Sequence, residues 1–589
     1  MRRRITAVAL VVFAGLGAAC SSGKSSTPIA TVPSGSPTKM TDANAVPVTN
    51  ATSATAETTA ATIEITTATI AETSASTPTV ESRDCAIPTT TTPTQAEDVG
   101  NNRDWNVTSF DGAVIRAHWF PLATAGADEP APTVLMGPGW GSAGDVNVDS
   151  PGLLGALSIK TLRDAGYNVL TWDPRGFGES TGTVEIDSVD FEARDVQQLL
   201  DWLATQPEAA LDAQGDPRSG MVGASYGGAI QFVTAAIDCR VDAIVPIIAW
   251  HSLQTSLAKA NTPKIGWANL LAAVASGADL DPIITAASAT ANASGTFSPG
   301  SIAWFTDRGP GDLISDISVP TLIIQGTVDT LFTLDEGVSN YQLLETAGVP
   351  TAMLWFCGGH GVCLTDPGDT KRVGAAAVGW LDRYVKEDLS VTLGQPFEFL
   401  DQNGVAYSAQ GFPQPDGDPI IASGSGTLDL VAGGGAGPAV ASANVDVVGG
   451  AALPITPGPA TNAVNVTIAA LAKPALVVGA PSLQMTYSGT VADGERPTRV
   501  FAQLVDETNG VVLGNQITPI EVILDGQEHS TEVLLEMVAH SVEPGTTITL
   551  QIVATTVAYA QPRLGGSVEF SAVEISLPVV TSAVRLSNL

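Results

Sequence analysis

The chain has 589 residues, of which 60 are acidic and 26 basic, giving a formal net charge of −34. One hydrophobic core rarely grows past about 250 to 300 residues, so two domains plus extra segments are expected. The acidity repels nucleic acid and anionic lipid headgroups, which removes both as electrostatic partners.

In chain order, "MRRRITAVALVVFAGLGAAC" combines a basic start, an apolar stretch too short to span a bilayer, and small residues before Cys20. That is the layout of an export signal. Cysteine at this place, followed by "SSGKSST", resembles a bacterial lipoprotein signal, which makes Cys20 the lipidation candidate. Gly17 and Ala19 would also suit ordinary signal peptidase. Either route predicts a protein exported to the cell envelope or beyond, and the lipoprotein route, the one favoured, adds a lipid on Cys20 as its contact with a membrane.

Export implies an oxidising compartment, where Cys85, Cys239, Cys357 and Cys363 have three possible disulfide pairings. The pair nearest in sequence, Cys357 with Cys363, is expected first, leaving Cys85 with Cys239. The alternative for Cys239 is a buried apolar residue. No histidine stands at metal-ligand spacing from another, so no metal and no other cofactor is expected.

Residues 21–95 are rich in Thr, Ala, Ser and Pro, and such a composition buries too little apolar surface to offset its ordering entropy. A flexible tether is predicted. From 96 to 392, short β-branched runs ending in Gly or Asp alternate with helical segments, the pattern of βαβ units around a parallel sheet. The buried-strand candidates are "PTVLMG", "YNVLTWD", "GMVGAS", "VDAIVPII", "PTLIIQG" and "TAMLWFC". A helix over "SVDFEARDVQQLLDWLATQ" places Val196, Leu199, Leu200 and Leu203 on one face and its charges on the other. Ala-rich helical stretches over about 251–315 interrupt the rhythm as an inserted cap. From 393 to 589 the helical period disappears, and runs such as "TTITLQIVAT" alternate Ile548, Leu550 and Ile552 with Thr549 and Gln551, as half-buried strands of a β-sandwich do. In "GSVEFSAVEISL" the alternation slips between Phe570 and Val573, which predicts a β-bulge.

The chemistry concentrates on Gly223-Ala-Ser225-Tyr-Gly227. This G-x-S-x-G lies between a strand-like "GMVG" and a helix-like "GGAIQFVTAAID", the context of a nucleophile elbow. The bare pattern is common in a glycine-rich chain, and a turn serine is the competing reading. In this fold class the order is serine, acid, histidine. Of the five histidines, His118 precedes the elbow, His251 opens the cap, and His529 and His540 sit in the sandwich. His360, on the loop "CGGHG" after the last strand, is the base candidate. Asp329, just beyond "PTLIIQG", is the acid candidate, while Asp335 and Glu336 fall at the start of the next helix. Oxyanion donors are expected from the backbone N–H of Tyr226 and from the loop "MGPGWGSAGD", with Trp140 as the second donor or else a pocket wall. Asp173 and Arg175 in "TWDPRGFGES" are expected to pair and brace a turn beneath the site.

Together, "DPRGFGES", "GASYGG", "QGTVDTLF" and "GGHG" followed by a β-sandwich resemble the Xaa-Pro dipeptidyl-peptidase and cocaine esterase (CocE/NonD-like) family of α/β-hydrolases. "PIIAWHSLQTSL" at the cap entrance is similar to the corresponding segment of bacterial members. The resemblance implies an α/β-hydrolase domain with a helical cap and a C-terminal jelly roll, which together wall the site, and a triad of Ser225, Asp329 and His360. The best-known members carry a tyrosine hydroxyl donor in the oxyanion loop, where this chain reads "GPGWG". The implied function is a secreted serine hydrolase of small ester, amide or peptide substrates, Xaa-Pro dipeptides among them. A cell-envelope acyltransferase using the same triad and a non-catalytic glycan-binding surface protein are the alternatives.

Overall fold

The computed structural model describes residues 95–439 and 453–586. The predicted signal with Cys20, and the tether up to residue 94 with Cys85, lie outside the described residues. The six candidate buried strands all form. Runs of Val, Ile and Leu closed by Gly or Pro suit a pleated layer covered on both faces.

The chain begins with β1 (Gln95–Asp98), β2 (Asp104–Thr108), β3 (Val114–Phe120), β4 (Thr133–Gly137), α1 (Ile159–Asp164), β5 (Asn168–Trp172) and α2 (Glu192–Leu203). A small hairpin, β6 (Leu211–Ala213) with β7 (Asp216–Pro217), leads to β8 (Ser219–Ala224), α3 (Tyr226–Ile237) and β9 (Val241–Ile247). Four helices then intervene: α4 (Leu253–Leu257), α5 (Ile265–Val274), α6 (Pro282–Ser294) and α7 (Pro299–Thr306). The α/β pattern resumes with β10 (Thr321–Gly326), α8 (Leu334–Thr346), β11 (Thr351–Phe356) and α9 (Lys371–Tyr384). The cap helices start where capping chemistry directs: Asp281 accepts from the Ile283 N–H ahead of Pro282, and Ser298 accepts from the Ser301 N–H.

In the large sheet the central order is β2-β3-β5-β4-β8-β9-β10-β11, and β5, β4, β8, β9, β10 and β11 run parallel. Ile159, Leu162, Val373 and Trp380 of α1 and α9 fill one face, while α2, α3 and α8 contribute Leu199, Phe232 and Tyr341 to the core on the other. After β4 the chain builds outward to β5, then crosses back to β8 on β4's other side. The carboxyl ends of β4 and β8 therefore form a topological switch point, where an open α/β sheet leaves a crevice for a ligand.

Three strands in the stretch assigned by sequence to the sandwich belong instead to this sheet. β12 (Phe397–Leu400) pairs in parallel with β11, and β13 (Ala406–Ala409) pairs with β12. The all-β part follows as β14 (Ile420–Asp429), β15 (Ala463–Ile468), β16 (Ala475–Gly479), β17 (Ser482–Val491), β18 (Arg499–Asp506) and β19 (Val511–Val512). It continues with β20 (Thr518–Glu521), β21 (His529–Leu534), β22 (Val538–Val542), β23 (Ile548–Val553) and β24 (Gly566–Leu577), and β25 (Val584–Arg585) returns to the large sheet beside β13. An antiparallel sheet β14-β24-β17-β21 and a second one built on β15-β23-β18 share one core, where Val464 and Val466 of one meet Leu483, Met485 and Phe570 of the other.

The predicted bulge is present: β17 pairs Thr486 with Ala572 and Tyr487 with Phe570, so Ser571 has no register partner there. The reading of β23 as half-buried needs correction. Thr549 and Gln551 are buried as well, because the outer face of this sheet is covered, and Gln551 is satisfied by Gln503, Asn465 and the backbone of Ala460. In α2 the apolar face is as predicted, but Glu192 and Asp195 are also buried: Asp195 holds Arg175, and Glu192 accepts from the Glu185 and Ser188 N–H groups. The α/β and all-β parts form one compact unit.

Candidate active site

Ser225 stands in the sharp turn from β8 to α3 with φ 59° and ψ −117°, a conformation that L-residues occupy only under constraint. Its N–H donates to the Ile247 carbonyl at the end of the neighbouring strand, and its own carbonyl accepts from Gly228 and Ala229. The flanking glycines are dictated by contact. A Cβ on Gly223 would stand 2.3 Å from the Gly227 oxygen, and one on Gly227 would stand 2.2 Å from the Gly137 oxygen. Three chain segments thus pass too close for any side chain. Tyr226 is the first residue of α3, so its N–H has no acceptor within the helix.

His360 closes the distance from the far side. Its Nε2 is 2.9 Å from Ser225 Oγ, and its Nδ1 is 2.8 Å from Asp329 Oδ2. A fully buried Asp329 also accepts from the backbone N–H groups of Leu331, Phe332 and His360. With Nδ1–H donating to the carboxylate, Nε2 carries the lone pair and faces the serine hydroxyl. Such a chain can take the hydroxyl proton as the oxygen attacks a carbonyl. Gly359 has φ +122°, and a Cβ there would stand 2.6 Å from Asp329 Cβ, so the histidine loop lies directly on the acid. The rings of Phe332 and Trp267 meet the imidazole edge-on at 4.9 and 5.7 Å. Sequence inspection did not single out these two, because an aromatic residue in a cap or loop carries no local signal of what it will touch.

Trp140 lies just past β4. Its indole Nε1–H donates to the Leu271 carbonyl of α5 at 3.0 Å, and its ring packs against Tyr226 and Phe177. The residue also walls a cavity of about 370 Å³ that opens on Ser225. Leu253, Leu271, Ile284, Phe297 and Phe305 of the cap also line it, and Asp279 is the one carboxylate in the lining. Beneath Tyr226, its hydroxyl donates to Glu192 Oε1 at 3.3 Å, and burial pushes the Glu192 carboxyl up to about 7.

The expected Asp173–Arg175 pair does not form. Asp173 accepts from the Gly144 and Glu179 N–H groups and from His118, whereas Arg175 makes a two-pronged bond to Asp195 and a further one to Asp111. Each braces the turn through its own partners, since a guanidinium fork matches the buried Asp195 carboxylate better. His118 is held between Asp104 and Asp173. Burial alone would lower its pKa, but these two carboxylates raise it. His251 bonds Asn340 and His529 bonds Asp525, while His540 is buried in the all-β part 3.6 Å from Asp506. Glu336 accepts from the His251 and Ser252 N–H groups, and Asp335 pairs with Lys259, so neither approaches His360 as the acid.

Cys357 and Cys363 form a disulfide, bracketing the loop that carries His360. Cys239 is disulfide-bonded rather than a buried free thiol, and the pairing expected for it with Cys85 lies outside the described residues. Among the described residues no cluster of three or more His, Cys, Asp or Glu side chains is disposed to hold a metal ion, and no helix is long and apolar enough to cross a membrane.

The sequence over residues 111–361 matches the family model of the X-Pro dipeptidyl-peptidase (S15 family). No curated protein matches the chain in sequence. Among solved structures, a CocE/NonD family hydrolase from Staphylococcus aureus superposes with a TM-score of 0.59 at 13% identity, covering 81% of this chain and 93% of its own. An aminopeptidase from a marine sediment archaeon, Thaumarchaeota archaeon, gives 0.61 at 13%, with coverage of 85% and 98%. An α-amino acid ester hydrolase gives 0.58 at 14%, with coverage of 85% and 100%. At such identities the likeness is one of fold.

Proposed function

Over residues 111–361 this chain is a member of the X-Pro dipeptidyl-peptidase (S15) family, an enzyme of the serine hydrolase type acting on small-molecule or peptide substrates, and from that premise we propose that Ser225, His360 and Asp329 are its catalytic triad. The observation that carries the reading is His360 bonded on one side to Ser225 and on the other to Asp329. In the proposed cycle Ser225 Oγ attacks the substrate carbonyl while His360 Nε2 accepts its proton, and Asp329 stabilises the imidazolium. The Tyr226 N–H, at the start of α3, faces the developing oxyanion, with the Trp140 N–H as second donor. Collapse returns the proton to the leaving group and leaves an acyl-serine, which water hydrolyses by the same steps in reverse order.

The preferred substrate is an ester with an apolar acyl or alcohol group. The cavity beside Ser225 is walled by leucine, isoleucine, alanine and aromatic side chains, and its one carboxylate, Asp279, sits on an exposed stretch. An Xaa-Pro dipeptide requires an anionic partner for its terminal ammonium within the site, and burial of an unpaired cation costs several kcal/mol. The all-β part is proposed to be a jelly roll. Export, with lipid attachment at Cys20, is the proposed localisation, resting on the residue pattern "RRRITAVALVVFAGLGAAC".

Rates measured on p-nitrophenyl esters of increasing chain length and on Xaa-Pro p-nitroanilides test the substrate reading. Ester kcat/KM should rise roughly fourfold with each added acyl methylene until the pocket is filled, as about 0.8 kcal/mol per buried methylene predicts. Faster cleavage of the Xaa-Pro anilides would overturn it.

A further inference from the structure

The acid and histidine loops are tied from outside the α/β part. After β19 the all-β chain makes a tight turn over Leu513–Asn515, where Gly514 and Asn515 adopt left-handed φ of +63° and +52°. That turn lies on the active-site side of the large sheet. The Gln516 amide Nε2–H donates to the Asp329 backbone carbonyl at 2.5 Å, and the Asn515 amide Nδ2–H donates to the Val362 carbonyl at 2.7 Å, two residues past His360.

The turn is itself fixed to the α/β part. Gln402, just after β12, accepts from the Gly514 N–H at 2.7 Å and donates to the Val512 carbonyl and to Asn515 Oδ1. Asn515 therefore has its oxygen engaged by Gln402, which leaves its amide hydrogens for Val362. All three side chains are buried or nearly so. None is charged, so they restrain the loops without adding a formal charge beside Asp329 and His360. The histidine loop needs restraint, because "CGGHG" places glycines at 358, 359 and 361 around a single functional side chain.

We infer that Gln516 and Asn515 are positioning residues of the catalytic machinery, contributed by the all-β part to hold the Asp329 and His360 loops in register. The inference rests on the triad reading above. It makes the all-β part a component of catalysis rather than only a wall of the pocket, since hydrogen-bonded carbonyls on both loops set the separation of carboxylate and imidazole.

The test uses the full chain, with kcat, KM and the pH profile of kcat/KM on a p-nitrophenyl ester for Gln516→Leu and Asn515→Gly, the glycine tolerating the left-handed φ. Ser225→Ala and Asp329→Ala serve as references, and thermal melting monitors folding. Each positioning variant should lower kcat about 10- to 100-fold with KM within about threefold, because small displacements of aligned groups act on the chemical step. The acid limb of the profile should move in both variants, a readout that a merely structural role would leave in place. In the Asp329→Ala background Gln516→Leu should have no further effect, since it acts through Asp329.

Wild-type kcat and an unmoved acid limb in folded Gln516→Leu and Asn515→Gly would overturn the inference. So would an equal loss of kcat from Gln516→Leu with and without Asp329. Retention of activity by Ser225→Ala would instead refute the triad itself, which separates the two failures.

Discussion

At the scale of single residues, close approaches among the backbones of Gly137, Gly223 and Gly227 set where the Ser225 turn sits. Gly227 has no room for a methyl group, since its Cβ would stand 2.2 Å from the Gly137 oxygen. Gly227→Ala should therefore cost about 1–3 kcal/mol, seen as a lower urea midpoint, and should depress kcat by displacing the Tyr226 N–H. The Asp329–His360 contact makes a second prediction. Asp329→Asn preserves the shape but presents an amide hydrogen to Nδ1, which favours the wrong imidazole tautomer. An effect of about 10⁴-fold on kcat is expected, with the melting temperature changing little by comparison. Ser225, Asp329 and His360 were legible because each follows a strand, in the order this chemistry requires, and rival histidines lacked such a place. Gln516 and Asn515 were not. They act on carbonyls 187 and 153 residues away, and an amide side chain in a turn gives no sign of such a partner.

At the scale of elements, the loop after β11 is closed by the Cys357–Cys363 disulfide around His360. Cross-linking a loop of this length removes about 2 kcal/mol of chain entropy from the unfolded state. Cys357→Ser with Cys363→Ser should lower stability by about that amount and reduce kcat more than KM, as stopped ester assays and chemical denaturation would detect. An unchanged kcat would mean that the hydrogen bonds alone hold the histidine. Strand identity was readable from β-branched runs, but which surface a strand would meet was not. The alternation of Ile548, Leu550 and Ile552 with Thr549 and Gln551 describes one apolar face and one polar face, yet Gln503 and the backbone of Ala460 allow the polar face to be buried as well. β12 reads FEFL, the start of a sandwich strand as far as sequence shows, so only its pairing with β11, and that of β13 with β12, reveals that they extend the large sheet.

At the scale of the whole molecule, buried acids make stability fall as pH rises. Burial pushes Glu192 up to about 7 and Asp242 up to about 8. A carboxyl with a raised folded pKa binds more protons in the fold than in the unfolded chain, so its contribution is complete below the ordinary carboxyl range and is lost as pH climbs to the folded value. His118, also raised, acts in the same direction above pH 6.5. Glu536, pulled down to about 2, where Lys259 offsets its burial, works oppositely but only in acid. The urea midpoint should thus decline between pH 5 and pH 8, and Glu192→Gln should flatten that decline by up to about 3 kcal/mol. A midpoint that rises over the same range would contradict the assignment of these groups.

Everything proposed for the site depends on Ser225 being the nucleophile of a hydrolase. Treating the purified protein with a fluorophosphonate and locating the adduct by peptide mass spectrometry tests it most directly. A single adduct is expected on Ser225, absent from Ser225→Ala and slowed by about 10³-fold or more in His360→Ala, where the base is missing. An unlabelled wild type, or an adduct that forms equally on Ser225→Ala, would contradict it.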